Sequence, residues 1–355
     1  MDIYVLDGLN GAIGMFDNYQ SVIWNKQYFG QDDLQLVTAA TEENLELLQI
    51  GKLLVRDIDI TEDGYKNVML IKNRSISFDD ETGWMLTITG KGLKNLLARR
   101  IIWSQLNYDN VTIEDVIRDV ITQNVISPSD SNRAIDNFVL GDKQNFTDTA
   151  EIQLFSENIA DWLENICTQY NYGWDVVIKN NQYVFILYKG TDRSYNQDAV
   201  APVVFSPEYD NLYSSTYSHN QDNYVNAALV GGEGDGTQKR TTTIGEATGL
   251  DRYEGYIDGS SVSSNGEIIT LDTYLNLLKS YGEEQIKQFQ KTQTFEGEIE
   301  PNGMYKLNVD YFLGDVVQIE NEKGIQATPR ITEIIYSEDS NGVSIVPTFS
   351  EWEVN

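Results

Sequence analysis

Apolar and polar positions alternate with a period of two through residues 1–105, the spacing that sends successive side chains to opposite faces of a strand. Tyr4, Val5 and Leu6 open the run, and residues 21–24, 34–37 and 52–55 repeat the pattern. The clearest pair sets residues 68–71 and 76–78 against 84–89 across a turn at 79–83, with Trp84, Leu86 and Ile88 on one face and Met85, Thr87 and Thr89 on the other. Gly90 and Gly92 break the alternation, so a boundary is expected near residue 105.

The period then lengthens. Thr112 followed by Asp115 resembles a capping box, and Ile113, Val116, Ile117, Val120 and Ile121 recur at helical spacing, predicting an amphipathic helix to about Val125. Ile159, Trp162, Leu163, Ile166 and Tyr170 form a second stripe with Asn158 as N-cap. Residues 174–178 and 183–188 predict a hairpin behind it, and the polar stretch 191–198 reads as an exit linker.

Beyond the linker, residues 226–230 predict a short strand entering a glycine-rich turn at 231–236. A polar, Gly- and Ser-rich interval follows, then a third helix around Tyr274, Leu277, Leu278 and Tyr281, so this region reads as an insertion. Strands return at 315–319, 330–335 and 343–346, separated by turns at 321–324 and 339–342, which suggests a meander. The fold class expected is β-rich α+β, and 355 residues are enough for two or more packed units.

Composition narrows the function. Fifty-five acidic against 25 basic side chains leave a net charge of −30, a surface sign that repels phosphate backbones and anionic headgroups. Sequence-specific nucleic-acid binding and membrane-surface binding are therefore not expected, and the same charge also serves plain solubility. No stretch of about 20 apolar residues occurs, so no membrane segment is expected, and the first residues lack the basic and apolar regions of a leader. Cys167 is the single cysteine and falls on a helical stripe, where a free thiol acts as a small hydrophobe.

Reactive chemistry is sparse. One histidine, His219, excludes two-histidine metal centres, and without a Gly-x-Ser-x-Gly elbow it has no nucleophile to serve. Gly231-Gly232-Glu233-Gly234-Asp235-Gly236 lacks both phosphate-loop spacings and carries two acids. Asp57, Asp59 and Asp63-Gly64 suggest a calcium loop with its glycine two places late, so a β-turn is the better reading. Tyr209, Tyr213 and Tyr217 could stack a sugar or pack against a sheet or a subunit. Paired carboxylates of a glycosidase cannot be recognised by spacing in so acidic a chain. No catalytic residue, cofactor site or metal site is assigned.

Asn226-Ala227-Ala228-Leu229-Val230-Gly231-Gly232-Glu233-Gly234-Asp235-Gly236, then Gly249-Leu250-Asp251-Arg252-Tyr253-Glu254 and Tyr256-Ile257-Asp258, resembles the siphovirus tail-protein family found in many prophages. Tyr311-Phe312-Leu313-Gly314-Asp315-Val316-Val317, Arg330-Ile331-Thr332-Glu333-Ile334 and Gly90-Lys91-Gly92-Leu93 extend the likeness over the whole chain, while Gly255 and Gly259-Ser260 stand where relatives often carry charge. The resemblance implies a central baseplate hub of a long-tailed phage, with two β-barrels per subunit around a trimeric ring. On that expectation residues 1–105 form the first barrel and 106–200 a lateral α+β domain. Residues 201–240 with 295–355 form the second barrel, and 241–294 an inserted peripheral segment. The implied function is a non-enzymatic structural subunit of the tail tip through which DNA can pass, the alternatives being a tail-associated cell-wall hydrolase or a host-glycan-binding tail protein. The implied partners are two further copies in a homotrimer and the distal tail or tube, tape measure, and tip or fibre proteins. The implied location is the virion tail tip, assembled in the bacterial host cytoplasm.

Overall fold

A computed structural model describes residues 1–264, 266, 269–299, 303–350, 352 and 353, with side chains at all of these but 213–215, 294–298, 352 and 353. The chain divides into two units, one of Met1–Ser215 with Glu296–Ser350, the other of Thr216–Phe295 with Glu351–Asn355.

The first unit is organised by a nine-stranded sheet. Its order is Ala12–Phe16, Ile3–Leu6, Leu53–Arg56, Met69–Asp79, Gly83–Gly92, Asp33–Ala39, Ser21–Gln27, Ile331–Asp339 and Gly342–Phe349. Every pairing is antiparallel, and the sheet is a half-barrel with Ala12–Phe16 and Gly342–Phe349 as its end strands. The expected alternation holds where neighbours cover both sides: Val22 and Trp24, Leu34 and Leu36, Leu86 and Ile88 are all buried with Ile3, Val5 and Leu54 in one core. Trp84 shares the face of Leu86 and Ile88 yet is exposed: it lies at the outer end of the hairpin, one residue past the last Asp33–Ala39 pairing at Met85 and outside the core that buries Leu86 and Ile88.

A second core joins the two regions that a boundary at 105 was expected to separate. Leu6, Val55, Leu70 and Leu97 pack with Val116 and Val120 of the Ile113–Ile121 helix, Leu163 of the Ile159–Tyr170 helix, and Trp174, Phe185 and Leu187. Both helices start as predicted, Thr112 accepting from the Asp115 N–H and Asn158 from those of Ala160 and Asp161. The predicted hairpin is Gly173–Lys179 with Gln182–Tyr188, and Asn180 and Asn181 both take positive φ at its two-residue turn. It lies in a five-stranded sheet whose far strands, Gly64–Tyr65 and Ile60–Thr61, come from the first hundred residues.

The second half of the chain pairs differently from the expected meander and second barrel. Val316–Glu320 runs parallel to Asp192–Arg193 and to Val204–Phe205, so the presumed linker supplies a strand. Asp315 fixes that entry by accepting from the Thr191 N–H at 2.8 Å and from Arg193 Nε at 2.7 Å. Ile331–Asp339 and Gly342–Phe349 do form the predicted hairpin, but it adds to Ser21–Gln27 of the N-terminal sheet. Strand pattern declares a buried face and leaves the partner open, and here the partner is remote in sequence.

In the second unit Ala227–Gly231 sits between Thr241–Ile244 and Glu254–Asp258. Its pairing therefore lies with the interval read as an insertion, away from the C-terminal strands it was expected to join. The Leu271–Gln285 helix, capped by Thr270, covers one face of these strands through Tyr274 and Leu278, packed with Ala228, Val230, Ile244 and Ile257.

Candidate functional site

One tightly packed part of the first unit is a junction built around Tyr28, which is wholly buried. Its ring is closed in by Gly173, where an added Cβ would stand 2.2 Å from Tyr28 Cε2, and by Gly314, where the distance would be 2.1 Å. Tyr188 meets the ring edge-on at 5.3 Å and the Arg330 guanidinium lies 5.5 Å from its centroid. The hydroxyl donates to the Asn171 carbonyl and accepts from the Gly190 N–H. One side chain thus holds together residues from the three segments that the sequence divided among separate domains.

Beside it lies a buried ion cluster. Lys26 Nζ is 2.6 Å from Asp32 and 3.0 Å from Asp175, while Lys94 donates to the carbonyls of Gln27 and Gly30 and stands 3.6 Å from Asp32. Burial works against the Lys26 ammonium, but Asp175 and Asp32 outweigh it and hold Lys26 above the ordinary lysine range. Burial likewise opposes the Asp32 carboxylate, and Lys26 with Lys94 overcomes it, so Asp32 lies below the ordinary range. Lys94 is pulled down by burial despite Asp32. Asp32 and Asp175 are an organised acid pair, yet each is at most 9% exposed and the lysines neutralise them. That is the chemistry of a brace between strands, since a hydrolytic pair has to meet substrate and water.

The residues weighed as chemical candidates lie on several elements of the chain. His219 is exposed on the Leu212–Asn220 strand, and Cys167 is buried, its thiol pushed well up by burial. Asp59 pairs with Arg56 and accepts from Asn67, and Asp63 pairs with Lys179 at 2.9 Å, so two of the three calcium-loop acids are spent on separate cations. The turn is the β-turn expected, with the Gly64 position pressed against the Ile178 carbonyl. In the glycine-rich loop Tyr274 occupies the space over Gly232, and Glu233 accepts from the Ser264 N–H and pairs with Arg240, which makes the loop a packed strand exit. Tyr209 is exposed and Tyr217 donates to Gln293; the Tyr213 side chain lies outside the described residues. Among the described residues no group of three or more acidic, histidine or cysteine side chains is arranged to hold a metal, and no helix is long and apolar enough to cross a membrane.

The junction residues went unassigned in the sequence, although two carry a signal. Lys26 follows Val22 and Trp24 at the inward parity of its strand, and Asp175 interrupts an apolar run from Trp174 to Ile178. Charges at such positions need buried partners.

What the first unit offers outward is strand edge. Among the described residues Ala12–Phe16 and Gly342–Phe349 have one strand neighbour each, and they expose Ile13, Met15 and Val343, each about half accessible. An unpaired apolar edge is a template for another chain.

The sequence matches the siphovirus ReqiPepy6 Gp37-like protein family over residues 2–349. The fold is similar to a tail protein from Neisseria meningitidis MC58, at TM-score 0.57 and 14% identity, covering 98% of this chain and 96% of that one. It is equally similar to the 43 kDa tail protein of prophage MuSo2 from Shewanella oneidensis, at TM-score 0.57 and 12% identity, covering 99% and 98% of the two chains. No curated protein matches the sequence.

Proposed function

Since this chain belongs to the siphovirus ReqiPepy6 Gp37-like protein family, a family of phage tail proteins, we propose that it acts by shape, as a ring-forming hub subunit of the tail tip. The observation that carries this reading is the half-barrel with two unpaired, apolar edges. Copies set edge to edge, Gly342–Phe349 of one beside Ala12–Phe16 of the next, continue one sheet around an axis and leave no edge exposed. A contact between two different edges is heterologous, and it closes when the rotation per copy divides a full turn. Three copies suit the hub resemblance.

The buried junction fits the same role, because a subunit that carries load between neighbours gains from segments locked by tight packing and ion pairs. A net charge of −30 keeps DNA that passes through a channel from adhering to its wall. The other tail proteins, from the tube side and the fibre side, are the partners such a ring would meet. Negative-stain electron microscopy of the purified chain, alone and on assembled tails, tests this reading. A threefold ring at the tail end is the expected image, and a dispersed monomer absent from tails would overturn it. Release of fragments from purified peptidoglycan would overturn it in favour of a hydrolase.

A further inference from the structure

Two exposed surfaces of the first unit match each other in chemistry. The first is the tip of the Met69–Asp79/Gly83–Gly92 hairpin. Phe78 stands directly opposite Trp84 with ring centroids 5.1 Å apart, and with Ile76 they expose 57%, 60% and 51% of their surfaces. The turn between them carries Asp79, Asp80 and Glu81, all exposed. Asp79 accepts from the Glu81 and Thr82 N–H groups, so the turn is held by its own first acid. Among the described residues none of the three acids has a cationic partner.

The second surface is basic, in a chain with only 25 basic side chains. Arg99 is exposed, Arg100 Nε donates to the Arg133 carbonyl at 2.6 Å, and Arg133 donates to the Ile101 carbonyl at 2.8 Å. The Arg133 guanidinium stands 4.7 Å from the centroid of Trp103, which is 59% exposed. Backbone bonds from Ile102 to Glu157 and from Ser156 to Ile102 bring the exposed Phe155 segment alongside. Burial and the neighbouring Arg100 pull Arg133 below the usual arginine range, opposed by Asp130. Among the described residues none of the three arginines is in an ion pair; Asp130 is the acid whose charge reaches Arg133, and three guanidiniums against it leave the patch cationic.

We propose that the acidic aromatic hairpin tip of one copy docks on the Arg99, Arg100, Arg133 and Trp103 patch of a second copy. This inference rests on the ring reading and names the side chains that set its direction. The occupant is a second copy because each surface carries what the other lacks: three carboxylates beside an aromatic pair, and three guanidiniums beside exposed rings, which carboxylates and aromatics both satisfy. Like-charged acidic surfaces elsewhere on a chain of this charge repel, so complementary patches decide which faces meet. Tip and patch are different surfaces, which makes the contact head-to-tail and able to propagate around a ring.

Charge reversal tests it, read by sedimentation velocity of the full chain over a concentration series at low and high salt. Asp80→Lys and Arg99→Glu, both at exposed positions, are each expected to weaken self-association by about tenfold or more, and the two combined in one chain to recover most of the loss. Trp84→Ala is expected to weaken it similarly without changing the salt dependence. A second readout is covalent: with Asp80→Cys and Arg99→Cys in one chain, oxidation yields a ladder of multimers, while Arg99→Cys alone yields none, Cys167 being buried. Oligomers that survive every one of these changes overturn the docking and leave the ring intact. A wild-type chain monomeric at all concentrations and present singly on tails overturns both.

Discussion

Tyr28 fills its space so completely that the neighbouring backbone has to be glycine. Gly173→Ala would drive a methyl into Tyr28 and Tyr188, and Gly314, at φ +94, combines the same clash with a backbone that favours glycine. Gly173→Ala should lower unfolding free energy by about 1–3 kcal/mol, the usual range for overpacking, measured by denaturant titration. Asp32→Asn should cost more, about 3–5 kcal/mol, because it leaves buried Lys94 without its carboxylate and buried Lys26 with Asp175 alone. Its pH signature has a definite sign. Asp32 binds its proton more weakly folded than unfolded, so its contribution is present above the unfolded value of 3.8 and is lost as pH falls through the lower folded value. Stability of the wild type should therefore drop on acidification below about pH 4 by more than that of Asp32→Asn. Equal acid slopes in the two proteins would show that Asp32 gains nothing from its lysines. Position 26 was legible in the sequence as an inward-pointing cation; its partner Asp175 was not, being 149 residues away.

Long, strongly periodic elements were the legible ones. The Ile113–Ile121 and Ile159–Tyr170 helices announced themselves by stripe and cap, and the Gly173–Lys179/Gln182–Tyr188 hairpin by two β-rich runs around an Asn-Asn turn. Two-residue strands such as Asp192–Arg193 and Gly64–Tyr65 left no pattern, because a strand that short exists only through the partner that pairs with it. The Glu42–Leu47 helix was missed for the same reason of length, although Thr41 caps it. The exposed edge strand invites a separation of folding from assembly. Ile13→Lys places a charge on an already exposed edge position, so thermal unfolding of the isolated chain should stay within about 0.5 kcal/mol of wild type. The same change should abolish ring formation by the edge-to-edge route, scored by electron microscopy. Normal rings from the Ile13→Lys protein would remove that edge from the contact.

The molecule as a whole combines one large unit, closed by a C-terminal hairpin on an N-terminal sheet, with a smaller unit that has its own core of Val230, Ile257, Tyr274 and Leu278. Association by charged and aromatic surfaces should weaken with salt, whereas association by apolar edges alone should not, so the salt dependence of oligomer mass distinguishes the two contributions. The β-rich class, three of the helices, the scarcity of histidine and cysteine chemistry and the acidic surface all follow from periodicity and composition, which are properties of neighbouring residues and of sums. Strand order, the junction at Tyr28 and the pairing of residues 331–339 with 21–27 follow from neither. A period of two says which face of a strand is buried but is silent on what lies beside it, and the buried ion pairs and glycine contacts come into being when distant segments meet.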